Sequence, residues 1–153
     1  MRPGVRIGVD VGRVRVGVAA CDSGGLLATP VLSHLRGRAD EAVFRGLLGE
    51  YAPIEIVVGL PLGLSGGETA STADARAFAA WLARLSELPV RLVDERLSTV
   101  SAQRGLQAAG RTTRSSRAVV DQAAAVIILQ SALDSERSTG RAPGVLVEPN
   151  EGA

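Results

Sequence analysis

The 153-residue sequence contains no lysine; all 17 basic residues are arginine. It holds one histidine (His34), one cysteine (Cys21) and one tryptophan (Trp81). Each shortage removes a chemistry. Without lysine there is no Schiff base and no P-loop lysine. One cysteine makes neither an internal disulfide nor a cysteine-rich zinc site. One histidine excludes a multi-histidine metal centre, and a disulfide-dense secreted scaffold is excluded as well. Aromatic residues are 3% of the chain, too few for extensive stacking of bases on aromatic platforms. Carboxylates, arginines and hydroxyls are what remain for polar chemistry.

The 16 acidic residues nearly cancel the arginines, leaving a net charge of +1. A nucleic-acid face would therefore have to be local. No apolar run approaches the length of a membrane span, and Met1 to Val5 lacks a signal-peptide core. A soluble, cytoplasmic protein without membrane contact is expected. With 46% apolar residues, the length suits one domain, placed at residues 1–137. The segment 138–153, with glycine, proline and acids, is expected to be a flexible tail.

Period-two alternation marks strands at Val5 to Val11 and Val14 to Ala20, joined by a tight Gly12-Arg13 turn. After the Asp22–Gly25 turn, Leu26 to Leu32 reads as a third strand, at a sheet edge because of Pro30. Asp40 is positioned to cap a helix running to Tyr51. Ile54 to Val58 reads as a buried parallel strand. The glycine-rich loop Gly59 to Gly67 follows. Ser71-Thr72-Ala73-Asp74 resembles a capping box for a helix carrying Phe78, Leu82 and Leu85. Val90 to Val93 is a further strand, ending in Asp94-Glu95. Ser98 or Thr99 caps a helix to about Gly110. A basic connection spans Arg111 to Arg117, and Ser115 or Ser116 caps a last helix through Leu133. The order β-β-β-α-β-α-β-α-α implies a mixed five-stranded α/β sheet with helices on both faces, the order of the ribonuclease H-like fold.

Three carboxylates are candidates for chemistry. Asp10 lies inside a strand, where a charge costs several kcal/mol unless paired or metal-bound. Gly8 and Gly12 flank it on its own face and leave it open to a phosphate or metal. Asp94 and Glu95 end a parallel strand, where open α/β sheets bind ligands. Successive strand residues face opposite ways, so one of the two would face the site, and sequence parity does not say which. Asp121 lies about one turn into the last helix, beside its apolar stripe. Converging carboxylates repel, and two divalent cations would relieve that while promoting phosphodiester cleavage. From Arg96 to Val120 there are five arginines and no acid: Arg96, Arg104, Arg111, Arg114 and Arg117. Arginine binds phosphate bidentately. The glycine-rich loop could add backbone N–H groups, though without a Walker lysine.

Four ordered segments resemble the YqgF/RuvX family of pre-16S ribosomal RNA nucleases, also described as Holliday junction resolvases. They are GVDVGRVRVGVA (Gly8 to Ala19), IVVGLPLGLSGG (Ile56 to Gly67), VDERLSTVSAQR (Val93 to Arg104) and VDQAAAVIILQSAL (Val120 to Leu133). The resemblance implies a ribonuclease H-like fold and a metal-dependent nuclease site at Asp10, Glu95 and Asp121. It thereby selects Glu95 over Asp94. Oxygen ligands favour Mg²⁺ or Mn²⁺; Arg15 matches the arginine of the family's first motif, and with Arg96, Arg111, Arg114 and Arg117 of the basic stretch it is expected to hold a nucleic-acid substrate. That substrate would be structured RNA, such as the ribosomal small-subunit precursor, or alternatively branched DNA, for which a homodimer would be needed. Val14 stands where a lysine is common in the family, and Gly63 where an asparagine is common. Two other classes compete. An actin-like or sugar-kinase ATPase needs two related domains, which 153 residues do not hold. Three retained carboxylates count against a non-catalytic nucleic-acid-binding module, since acids oppose binding to phosphates unless metals intervene.

Overall fold

The computed structural model describes residues 1–97 and 114–148, with residues 114–121 described as helical backbone alone. Strands β1 (Arg6–Val11), β2 (Arg15–Cys21) and β3 (Ala28–Leu35) come first, followed by helix α1 (Asp40–Tyr51) and strand β4 (Glu55–Leu60). Helix α2 (Ala70–Ser86), strand β5 (Val90–Asp94), a 3₁₀ turn (Glu95–Leu97), helix α3 (Arg114–Thr139) and strand β6 (Val145–Leu146) complete the described chain. The strands form one mixed sheet in the order β3-β2-β1-β4-β5-β6. Pairing is parallel for β1–β4 and β4–β5 and antiparallel for the rest.

Alternation along the strands loads both faces of this sheet. Ile7, Val9, Val11, Val16, Val18, Ile56, Val58 and Leu60 join the core under α1 and α2. Ala19, Cys21 and Val57 join a second core with Ala124, Ala125, Ile128 and Leu129 of α3. All six residues of β1 and all six of β4 are buried, as strands covered on both sides must be. The α/β expectation with helices on both faces therefore holds. The rings of Phe44, Phe78 and Trp81 meet edge to face, with centroids 5.2 to 5.9 Å apart. Tyr51 also packs on that core, so all four aromatic residues of the chain are engaged in packing.

Several boundaries differ from the sequence reading. The sheet has six strands rather than five. The sixth comes from the segment assigned to the tail, with Val147 buried and its N–H donating to Val90 O at 2.8 Å. Helix α3 runs to Thr139 rather than Leu133. The β1–β2 connection is the three residues Gly12 to Val14, closed by a Gly12 N–H to Arg15 O bond of 2.9 Å. β3 runs Ala28–Leu35 rather than Leu26 to Leu32 and is an edge strand, with Pro30 opposite Ala19 beside a register shift. Asp40 is the first residue of α1, and its N-cap, Ala39, makes no side-chain bond. The Asp40 carboxylate instead accepts from Gly37 N–H at 2.8 Å and pairs with His34 Nε2 at 2.7 Å. The capping box of α2 joins Thr69 and Thr72, not Ser71 and Asp74; Asp74 is bonded to Arg36. Ser115 and Ser116 lie inside α3 rather than before it. The helix predicted from Ser98 or Thr99 to Gly110 lies outside the described residues.

Candidate active site

The face of the sheet under α3 carries the candidate carboxylates. A Cβ at Gly8 would lie 2.6 Å from Leu129 Cβ and 3.1 Å from Ala125 O, so this face of β1 and α3 meet backbone to backbone. Asp10 shares the face, two residues further along β1, and is 1% exposed. Its partner on β2 is Gly17, whose partner on β3 is Ser33. Parity placed Asp10 here; Ser33 joins the row only once the register is known.

Gly59 of β4 follows Val58, the partner of Val9, and pairs with Val93 on β5. It thus stands between Asp10 and the end of β5. A Cβ at Gly59 would lie 3.0 Å from Glu95 Oε1 and 2.5 Å from Ile128 Cδ1. The missing side chain leaves room for the tip of Ile128 and, beside it, for the Glu95 carboxylate. Glu95 is 5% exposed and opens the 3₁₀ turn after β5. Asp94 turns outward: its Oδ1 accepts from Arg96 N–H at 2.9 Å and its Oδ2 from Arg96 Nη2 at 2.7 Å. The Arg96 guanidinium holds the Asp94 carboxyl below its ordinary range.

The two buried acids supply hard oxygen donors, the set suited to Mg²⁺ or Mn²⁺. Among the described residues no three or more His, Cys, Asp or Glu side chains gather closely enough to hold a metal. Asp121 lies in α3 one turn before Ala125, and its side chain is outside the described residues. Of the predicted substrate-binding arginines, Arg15 begins β2 beside the hairpin, and Arg96 lies next to Glu95. Arg114 and Arg117 fall in the first turn of α3, not in a connection, and Arg111 is outside the described residues. Val14, where the family often has lysine, is exposed at the hairpin.

Two amides of the glycine-rich loop are already engaged. Gly63 N–H donates to Gly67 O and Gly66 N–H to Gly63 O, each at 2.8 Å, so these two amides are used within the loop. The loop is tied to α2 by the Thr72 hydroxyl, which donates to Pro61 O.

A clamp that sequence reasoning missed supports the hairpin beyond Asp10. Arg36 donates to Gly12 O at 2.8 Å and to both carboxylate oxygens of Asp74 on α2 at 2.6 and 3.0 Å. Its N–H donates to Val14 O at 2.9 Å. No local pattern marks Arg36, because its partners come from two distant segments, the β1–β2 connection and α2.

At the other end of this face, the buried Glu136 of α3 accepts from Arg2 and Arg6. Glu55 accepts from Arg2 and Arg91. Cys21 is buried here; its sulfur accepts from Arg6 N–H at 3.2 Å, and burial pushes its thiol up.

Residues 4–135 match the model of the family described as "RuvX: Holliday junction resolvase". The chain belongs to this family. A relative from Leifsonia xyli named "Putative pre-16S rRNA nuclease" is 56% identical over 99% of both chains. One of the same name from Streptomyces avermitilis is 54% identical over 97% of both. Among solved structures, the fold resembles T. thermophilus RuvC in complex with a Holliday junction substrate. The TM-score is 0.51 at 18% identity, covering 89% of this chain and 97% of that one. The family's ribonuclease H-like architecture is thus present here. Among the described residues, no helix is long and apolar enough to cross a membrane.

Proposed function

We propose that this chain is a metal-dependent endonuclease that hydrolyses phosphodiester bonds in precursor 16S ribosomal RNA, at its 5′ end. The observation that carries the reading is the burial of Asp10 and Glu95 on either side of Gly59, at the carboxyl ends of parallel strands. Buried carboxylates are held by hydrogen bonds, by paired charges or by metal ions. Asp10, Glu95 and Asp121 would hold Mg²⁺ or Mn²⁺. Bound cations of this kind supply an activated water and charge for the leaving oxygen.

The chain's own side chains would do the rest. Arg15 and Arg96, on the described rim, and Arg111, Arg114 and Arg117 would bind flanking phosphates through paired N–H groups. Backbone recognition of this kind suits structured RNA, since the aromatic residues are engaged in packing. The relatives' name supports the RNA class; the protein would then act in the cytoplasm, on the small-subunit precursor. A second reading, resolution of branched DNA by a homodimer, is favoured by the family's description.

The test is cleavage of precursor 16S ribosomal RNA and of a four-way DNA junction by the purified protein, with and without Mn²⁺. Metal-dependent RNA cleavage that falls to background in Asp10→Asn, with an unchanged thermal unfolding midpoint, is expected. Undiminished cleavage by that variant overturns the assignment. Cleavage of the junction alone moves it to the second reading.

A further inference from the structure

We propose that Asp94 is a positioning residue, holding the Arg96 guanidinium against Gly66 so that Arg96 meets a substrate phosphate beside Glu95. This rests on the nuclease reading above, in which Arg96 binds substrate.

Asp94 engages Arg96 along one edge. Its oxygens accept from Nε at 3.1 Å and from Nη2 at 2.7 Å, while the Arg96 N–H anchors Oδ1 at 2.9 Å. The Nη1 edge lies outside this pair. The guanidinium is placed against the glycine-rich loop: a Cβ at Gly66 would be 3.1 Å from Nη1 and 3.7 Å from Cζ. Gly66 also has φ +90°, a left-handed conformation that favours glycine. Both neighbours therefore fix one orientation of a long side chain that would otherwise sample many rotamers. Restraining it before binding removes part of the ordering cost of gripping a phosphate. Asp94 and Glu95 then have separate duties despite being adjacent: one faces outward to an arginine, the other is buried beside Gly59.

The opposing expectation follows from charge alone. A carboxylate near a phosphate site repels the ligand, so its removal should tighten binding unless it positions something. A double-mutant cycle separates the two. Binding of a fluorescein-labelled RNA duplex with a single-stranded 5′ extension is measured by anisotropy at several salt concentrations, without divalent cations so that no cleavage intervenes. Asp94→Ala and Arg96→Ala should each weaken binding about tenfold and lower the salt slope by about one phosphate contact. The double variant should lose about tenfold in all, not a hundredfold. Gly66→Ala should weaken binding in the parent protein but not in Arg96→Ala. Asp94→Asn, of equal size, guards against a misfolded alanine variant and should give a smaller loss.

Unchanged or tighter binding by the Asp94 variants overturns the proposal, as does additivity with Arg96→Ala. A protein that binds RNA without cutting it fails the nuclease reading while the cycle still decides the role of Asp94. One that binds no RNA in this assay overturns the role of Asp94, while metal-dependent cleavage still decides the nuclease reading.

Discussion

Gly8 and Gly59 share a sheet face and oppose the same helix, yet their substitution should have different consequences. At Gly8 the nearest obstacles to a Cβ are Leu129 Cβ and the Ala125 carbonyl oxygen, which move only if α3 moves. Gly8→Ala should cost about 2 kcal/mol of stability. At Gly59 the nearest obstacle is Ile128 Cδ1, the tip of a flexible side chain, and the next is Glu95 Oε1. Gly59→Ala should cost less stability but displace the Glu95 carboxylate, so cleavage should fall more steeply than in Gly8→Ala. Urea unfolding and the cleavage assay on both variants check the contrast, and equal losses in both measurements would refute it. Asp10 was legible in the sequence for the same reason that Gly8 is: period-two spacing needs only the strand itself. Strand parity did not tell which of Asp94 and Glu95 is buried, because it lapses where the chain turns into 3₁₀ geometry at Glu95. Nor was the separation of Arg96 from Arg114 and Arg117 into turn and helix legible, since a basic run carries no register.

The elements read most easily were those with a strong period: β1, β2, α1 and the body of α2. Their ends were harder, because caps are chosen by competition. Asp40 looks like a cap, but its carboxylate is held by Gly37 N–H and His34. Asp74 likewise answers to Arg36. Strand β6 left no sequence signal, since two residues, Val145 and Leu146, are too short for a period to show. Its contribution is nevertheless measurable. Val147 is 4% exposed and packs with the core under α1 and α2. A chain ending at Gly144 should lose about 2 kcal/mol, the worth of burying one valine, and an unchanged urea midpoint would show β6 to be dispensable.

Among the described residues, the buried charged groups divide between two ends of one sheet face. The carboxyl ends of the strands hold Asp10 and Glu95, and the amino ends hold the cluster of Arg2, Arg6, Arg91, Glu55 and Glu136. Hydrogen bonding from Arg2 is the main cause that holds the Glu136 carboxyl at about 2, below its ordinary 4.5. A carboxyl lowered by folding adds stability above its unfolded value, and that stability is lost as pH falls toward the folded one. Acid should therefore weaken the protein between about pH 4.5 and 2. Glu136→Gln, without the titrating group, should show a flatter dependence of Tm on pH across that window. An identical slope would mean that the cluster contributes nothing to acid sensitivity.

Anchoring Glu136 also fixes something about the opposite end of α3. Asp121 precedes it by fifteen residues, about 22 Å of helix at 1.5 Å per residue. A helix is a screw: sliding it by one residue along the sheet turns it by about 100°. The arginines that grip Glu136 therefore set the phase of α3 as well as its height. The glycine contacts at Gly8 keep that phase from drifting on the way. Arg2, at the far side of the molecule, thus helps fix the backbone phase of α3 along its whole described length.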